Sequence, residues 1–327
     1  MSPTRTVQYF LVDAFADAPS RGNPAGVVIL SNPLSDEEMQ TIARGLHALH
    51  PSAHTSHHAH SEVKLSKTAF AVRKSDSATV TAYSLRWFTP VAEESFCGHA
   101  TLVTLATSHI LLTQEEVQRN LSFSTLSGVL TAERLLNGYI ELNLPADDFV
   151  EVGSEYVAFK TYTEAVSEAF EGKATLKRAV QGRLDVLLEL ELADNVHLAD
   201  VDIIESALAP ILTPRTVILT TLLSTDLQGT QPHVHSRVLP LADKLPEDPV
   251  TGSAHCTIVP FFVPRLIAAA GSHLEMEEVE LRATQGSAKR RGDLRAVWDG
   301  KSGKEGGRVK LRGKAFTVAG GDFILNA

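Results

Sequence analysis

The chain has 327 residues, 43% hydrophobic and 21% charged, with a mean hydropathy near zero. That length is enough for two ordinary domains, and the composition excludes a disordered chain. A net charge of -9, a pI near 5.8 and the lack of any Lys/Arg stripe interleaved with aromatics make nucleic acid an unsuitable partner. No basic leader or apolar h-region precedes the first strand-like run, and no apolar run reads as a membrane span, so the expectation is a cytoplasmic protein without a membrane partner. Cys97 and Cys256 are the only cysteines, too few for a disulfide framework, and are expected to be free thiols.

In chain order, strand-like runs at Val7–Phe15 and Ala25–Leu30 lead to Ser35-Asp36-Glu37-Glu38, a capping-box start for a helix whose Met39, Ile42, Ala43 and Leu46 share one face. Strands follow at Thr68–Arg73 and Thr79–Phe88, then a nearly polar-free stretch, Ala100 to Leu112, that reads as a buried core helix. The second half repeats this grammar. Strands are expected at Leu121–Ser124, Val129–Arg134, Tyr139–Leu144, Val186–Leu190 and Thr216–Leu222, with helices at Tyr162–Phe170 and Asp202–Leu208. A second apolar helix, Ala254 to Ala270, precedes strands at Glu278–Ala283, Leu294–Trp298, Arg308–Leu311 and Ala315–Val318.

Two features stand apart from this scaffold. The apolar helices open alike, with Phe96-Cys97-Gly98-His99-Ala100-Thr101 and Val250-Thr251-Gly252-Ser253-Ala254-His255. In each, a glycine and small polar residues stand where the first free backbone N–H groups point outward, which suits a small anion as well as plain helix capping. The segment Gly45 to Lys64 fits no element and holds His47, His50, His54, His57, His58 and His60. Their spacing permits a metal, but the surrounding Ser, Thr and Ala, without Cys or Asp nearby, favour a mobile surface insertion.

Several blocks in order resemble the phenazine-biosynthesis PhzF-like family: Val12-Asp13-Ala14-Phe15 with Gly22-Asn23-Pro24-Ala25, Met39-Gln40-Thr41-Ile42-Ala43, and Leu65-Ser66-Lys67-Thr68-Ala69-Phe70. Arg86-Trp87-Phe88-Thr89-Pro90, Cys97-Gly98-His99-Ala100-Thr101, Glu247-Asp248-Pro249-Val250-Thr251-Gly252-Ser253-Ala254-His255 and Gln285-Gly286 continue the series. The resemblance implies an α+β, diaminopimelate epimerase-like fold: two lobes, each a curved, mostly antiparallel sheet around a central helix, with a site in the cleft between them. The expected division is 1–120, completed by about 314–327, and 121–313. It further implies an isomerase that moves a proton within a small carboxylate-bearing metabolite, of dihydro-hydroxyanthranilate type, without metal or organic cofactor, in a homodimer. His99, Asp248 and Ser253 fall at the family's assisting positions, and Asn23, Ser66, Gly98, Thr251 and Gly252 would line the pocket.

Lys67 stands where the family carries its proton-shuttling glutamate. A lysine of pKa about 10.4 is neutral only about once in 2,500 molecules at pH 7, and freeing its base form costs about 4.6 kcal/mol. Burial would ease that cost, and a neighbouring carboxylate such as Asp248 would oppose it. Glu62 is an alternative carboxylate, and an impaired paralogue that binds small anionic metabolites is the alternative function. A scaffold used only for dimeric interaction is a third. Two-thiol racemisation is disfavoured, because Cys97 is matched in the second half by Thr251.

Overall fold

The computed structural model describes residues 5–16, 18–19, 21–49, 65, 67–77, 79–94, 120–126, 128–227, 231–242, 245–301 and 306–325. The chain divides into two compact units, 1–143 with 312–327, and 144–311. The first runs beyond the expected boundary at residue 120, because the strands after it continue the first unit's sheet.

In the first unit, β1 (Arg5–Ala14) and β2 (Asn23–Leu30) precede α1 (Asp36–Leu49), and β3 (Lys67–Asp76), β4 (Val80–Phe88) and β5 (Glu93–Glu94) follow it. β6 (Asn120–Thr125), β7 (Gly128–Arg134) and β8 (Ile140–Pro145) complete the series. The expected capping box is present: Ser35 N–H donates to Glu38 Oε2 at 2.7 Å and Glu38 N–H to Ser35 Oγ at 3.2 Å. Met39, Ile42, Ala43 and Leu46 are buried on β2 and β3 with Val28, Phe70 and Val72. α1 runs on through Gly45 to Leu49, so His47 belongs to its last turn and not to an insertion; its Nδ1 lies 2.5 Å from Leu65 O. His50, His54, His57, His58, His60 and Glu62 lie outside the described residues, as does the expected helix 100–112.

The second unit holds β9 (Phe149–Val152), α2 (Val157–Ala169), β10 (Ala174–Gly182), β11 (Asp185–Leu192), β12 (Thr216–Ser224) and β13 (His233–Leu239). α3 (His255–Ala269), β14 (Leu281–Gly286) and β15 (Arg291–Trp298) come next. β16 (Arg308–Gly313) and β17 (Ala315–Leu325) lead the chain back to the first unit, where β17 pairs antiparallel with β1. The helix expected at 202–208 is a four-residue 3-10 turn, Glu205–Leu208, followed by Pro210. The strand expected from Glu278 starts at Leu281, because Glu275 and Glu278 close a capping box over the preceding turn.

Successive pairings in the first unit are antiparallel (β1–β2), parallel (β2–β3), antiparallel (β3–β4), parallel (β4–β6) and antiparallel (β6–β7). The second unit repeats that sequence from β10 to β15. Each parallel pair needs a crossover. α3 is the second crossover of its unit, between β13 and β14, and the segment between β4 and β6 is its topological counterpart. The stretch Gly252–Ala269 reaches a mean hydropathy of 1.2 over 18 residues, which corrects the expectation that no run is long and apolar enough to span a membrane. It is 72% buried within the protein, and that is the environment of a core helix.

Candidate active site

The second unit builds its site on the loop from Glu247 into α3. Asp248 N–H donates to Val238 O at 3.0 Å, an antiparallel bridge that fixes the loop against the end of β13. Thr251 donates its hydroxyl to Asp248 Oδ2 at 2.6 Å. Gln285, fully buried on β14, accepts from Thr251 N–H at 2.9 Å and donates to Asp248 O at 2.9 Å and Thr251 Oγ1 at 3.0 Å. A directed chain results, from the Gln285 amide through the Thr251 hydroxyl to the Asp248 carboxylate, which remains partly exposed. The close fit of strand to loop depends on Gly286, at φ +111°, where a Cβ would stand 2.3 Å from Arg290 O and 2.9 Å from Pro249 O. Gln285→Ala should lower stability by about 2 kcal/mol, since it strands the buried Thr251 N–H; urea denaturation checks this.

Ser253, one residue beyond Gly252, is half-buried, and its Oγ accepts from Arg215 Nη1 at 3.0 Å. A guanidinium has donors only, so this contact does not use the Ser253 hydroxyl proton. Arg215 is itself held by a two-point pair with Asp185 (2.9 and 2.5 Å), and Asp185 also accepts from Thr216 Oγ1 at 2.8 Å. His255 is completely buried; its Nδ1–H donates to Thr251 O at 3.1 Å, its Nε2 has no partner among the described residues, and burial pushes its pKa down to about 4. Burial pushes the free Cys256 thiol up to about 12, so it is not a nucleophile.

Glu247 is bound at two points by Arg237 Nε and Nη2, at 2.6 and 2.5 Å. Arg237 Nη1 also donates to Leu198 O and Val201 O, which ties the loop into the unit's core.

In the first unit, Asn23 opens β2 and is buried, and Lys67 opens β3 opposite Ala25 in the parallel register. Lys67 Nζ lies 3.8 Å from Glu94 Oε2, with the side chains 25% and 41% exposed. Glu93 is taken up at two points by Arg86 Nε and Nη2, at 2.7 and 2.6 Å. Ser66, Cys97, Gly98 and His99 lie outside the described residues. Of the expected site residues, Asp248, Thr251, Gly252 and Ser253 therefore gather in one loop of the second unit, and Asn23 and Lys67 open neighbouring strands of the first. Gln285, Arg215 and Glu94 were given no role by the sequence. The Gln285-Gly286 pair was visible as a motif, whereas Arg215 and Glu94 acquire meaning only through the pairing of strands. Among the described residues, no group of three or more His, Cys, Asp or Glu side chains could hold a metal.

A sequence profile of the PhzC-PhzF family, phenazine biosynthesis-like proteins, matches residues 12–50 and 57–321. The unmatched residues 51–56 fall in the histidine-rich segment. An uncharacterized isomerase of Pseudomonas aeruginosa is 35% identical across 98% of this chain and 99% of its own length. Among solved structures, a phenazine biosynthesis protein of the PhzF family from Enterococcus faecalis aligns with a TM-score of 0.69 at 26% identity, covering 98% of this chain and 100% of that one. A hydroxyproline epimerase from Agrobacterium vitis, only 11% identical, aligns with a TM-score of 0.52 over 99% of this chain and 94% of its own. These likenesses establish the two-lobed, epimerase-like α+β fold.

Proposed function

Because the chain belongs to the PhzC-PhzF family of phenazine biosynthesis-like proteins, we propose that it is an isomerase of a small carboxylate-bearing metabolite, working by acid–base proton transfer without a cofactor. The observation that carries this reading is the Gln285–Thr251–Asp248 chain, which holds a partly exposed carboxylate at the start of a buried helix. Asp248 exchanges a proton with the substrate, and the Ser253 O–H, directed by Arg215, donates to a substrate oxygen. Thr251 and Gly252 supply the backbone approach to the anion. His99 assists, and Asn23, Ser66 and Gly98 line the pocket; these four rest on the family resemblance alone.

The ammonium of Lys67 favours a second reading, in which the protein binds small anionic metabolites without isomerising them. Incubating the full chain with a dihydro-hydroxyanthranilate in deuterated water separates the two. Isomerisation with deuterium incorporation, lowered on the order of 10²-fold or more by Asp248→Asn, supports the enzyme. Binding without turnover supports the anion binder.

A further inference from the structure

The repeat in the fold extends to side chains. Arg86 on β4 grips Glu93 through Nε and Nη2, and Arg237 on β13, the corresponding strand, grips Glu247 through the same two nitrogens. The residue after each arginine pairs antiparallel with the residue after each glutamate: Trp87 with Glu94, and Val238 with Asp248. Three residues beyond Glu94 comes Cys97-Gly98-His99, and three beyond Asp248 comes Thr251-Gly252-Ser253. Both segments lie in the second parallel crossover of their units. By strand pairing, ion pair and chain position, Glu94 thus occupies the station in the first unit that Asp248 occupies in the second.

The two differ in their partners. Asp248 receives the Thr251 hydroxyl, whereas Glu94 faces the ammonium of Lys67. The Lys67 ammonium and the Glu94 carboxylate lie close enough to form an ion pair. The first unit therefore has a carboxylate beside position 67, although position 67 itself is a lysine.

We propose that Glu94 is the acid–base carboxylate of the first unit, the counterpart of Asp248, with Lys67 as its counter-ion. This rests on the isomerase reading. Glu94 takes a proton from a substrate carbon next to an activating group, whose π system receives the electron pair. It then delivers a proton, exchangeable with solvent while on the carboxyl group, to a second carbon of the same molecule, leaving the substrate's composition and the enzyme unchanged.

The test uses wild type, Glu94→Gln, Glu94→Asp, Lys67→Met and Lys67→Glu, each checked for an unchanged melting transition. Turnover of a dihydro-hydroxyanthranilate and affinity for hydroxyanthranilate, its stable aromatic counterpart, are both measured across pH. Glu94→Gln should lower turnover on the order of 10²-fold or more and tighten hydroxyanthranilate binding several-fold, because a negative charge is removed from the site. Glu94→Asp should recover part of the rate, and Lys67→Met, which removes the counter-ion, should lower it. Turnover unchanged in Glu94→Gln, or raised by Lys67→Glu, would overturn the assignment while leaving the isomerase reading intact. Wild type that binds but does not turn over, with binding tightened in Glu94→Gln, would overturn the isomerase reading and leave Glu94 facing the ligand. Wild type that neither binds nor reacts would overturn both.

Discussion

Urea titration at pH 5 should give an unfolding free energy about 4 kcal/mol below that at pH 7.5 from two buried imidazoles alone. His255 and His235 each have a folded pKa pushed from 6.5 down to about 4. Burial is the main cause in both, opposed by the hydrogen bonds to Thr251 O and Gly286 O; Arg237, His233 and Arg291 add to the depression at His235. Both are neutral in the fold, and the unfolded chain binds their protons first as pH falls. Stability is therefore fully present above about 6.5 and is lost as pH drops toward 4, below which the loss levels off. Linkage gives about 2 kcal/mol per histidine at pH 5 and about 3 at pH 4. His255→Asn, which keeps a donor for Thr251 O, should remove about half of the pH 5 loss. A loss unchanged in that variant would mean that the protonation driving it lies elsewhere.

That acid sensitivity was not legible in the sequence, where His255 counted only as the end of a motif. Local signals were enough for the elements that satisfy their own demands, such as α1, whose cap and apolar face both lie within Ser35–Leu46. The strand His233–Leu239 went unseen because His235, Ser236 and Arg237 read as polar. The burial of His235 and Arg237 is made possible by Thr284, Gly286 and Glu247, distant in the chain. The helix expected at 202–208 erred in the opposite direction, since its apolar spacing lacked the length to propagate past Pro210. At the site, the motif stretch Glu247–His255 was readable as a block, but the relay from Gln285 comes from β14 and the grip of Arg215 on Ser253 from the residue just before β12. Pairing of that kind leaves no mark on a local window.

The matched arginines offer a direct measure of how burial sets the worth of one arrangement. Arg237→Met should cost about 3–5 kcal/mol, because it leaves Glu247 charged and enclosed and strips Leu198 O and Val201 O of a donor. The Arg237 and Glu247 side chains are 9% and 16% exposed. Arg86→Met breaks the same two-point pair on the corresponding strand, but there the side chains are 33% and 25% exposed, and its third partner Asp36 is 79% exposed. Water can solvate Glu93 once it is released, so that loss should be about 1 kcal/mol. The two variants, compared by urea denaturation at pH 7.5, should therefore differ by at least about 2 kcal/mol. The larger loss should also carry a functional mark. Glu247 directly precedes Asp248, so releasing it frees the loop that aims the carboxylate, and ligand binding should weaken even where the fold survives. Glu247→Gln keeps hydrogen-bonding oxygen and nitrogen in place without the charge, and should fall between wild type and Arg237→Met in both measurements. Equal losses for Arg237→Met and Arg86→Met would mean that the pair in the second unit is reached by water, and that the loop is held chiefly by Gln285.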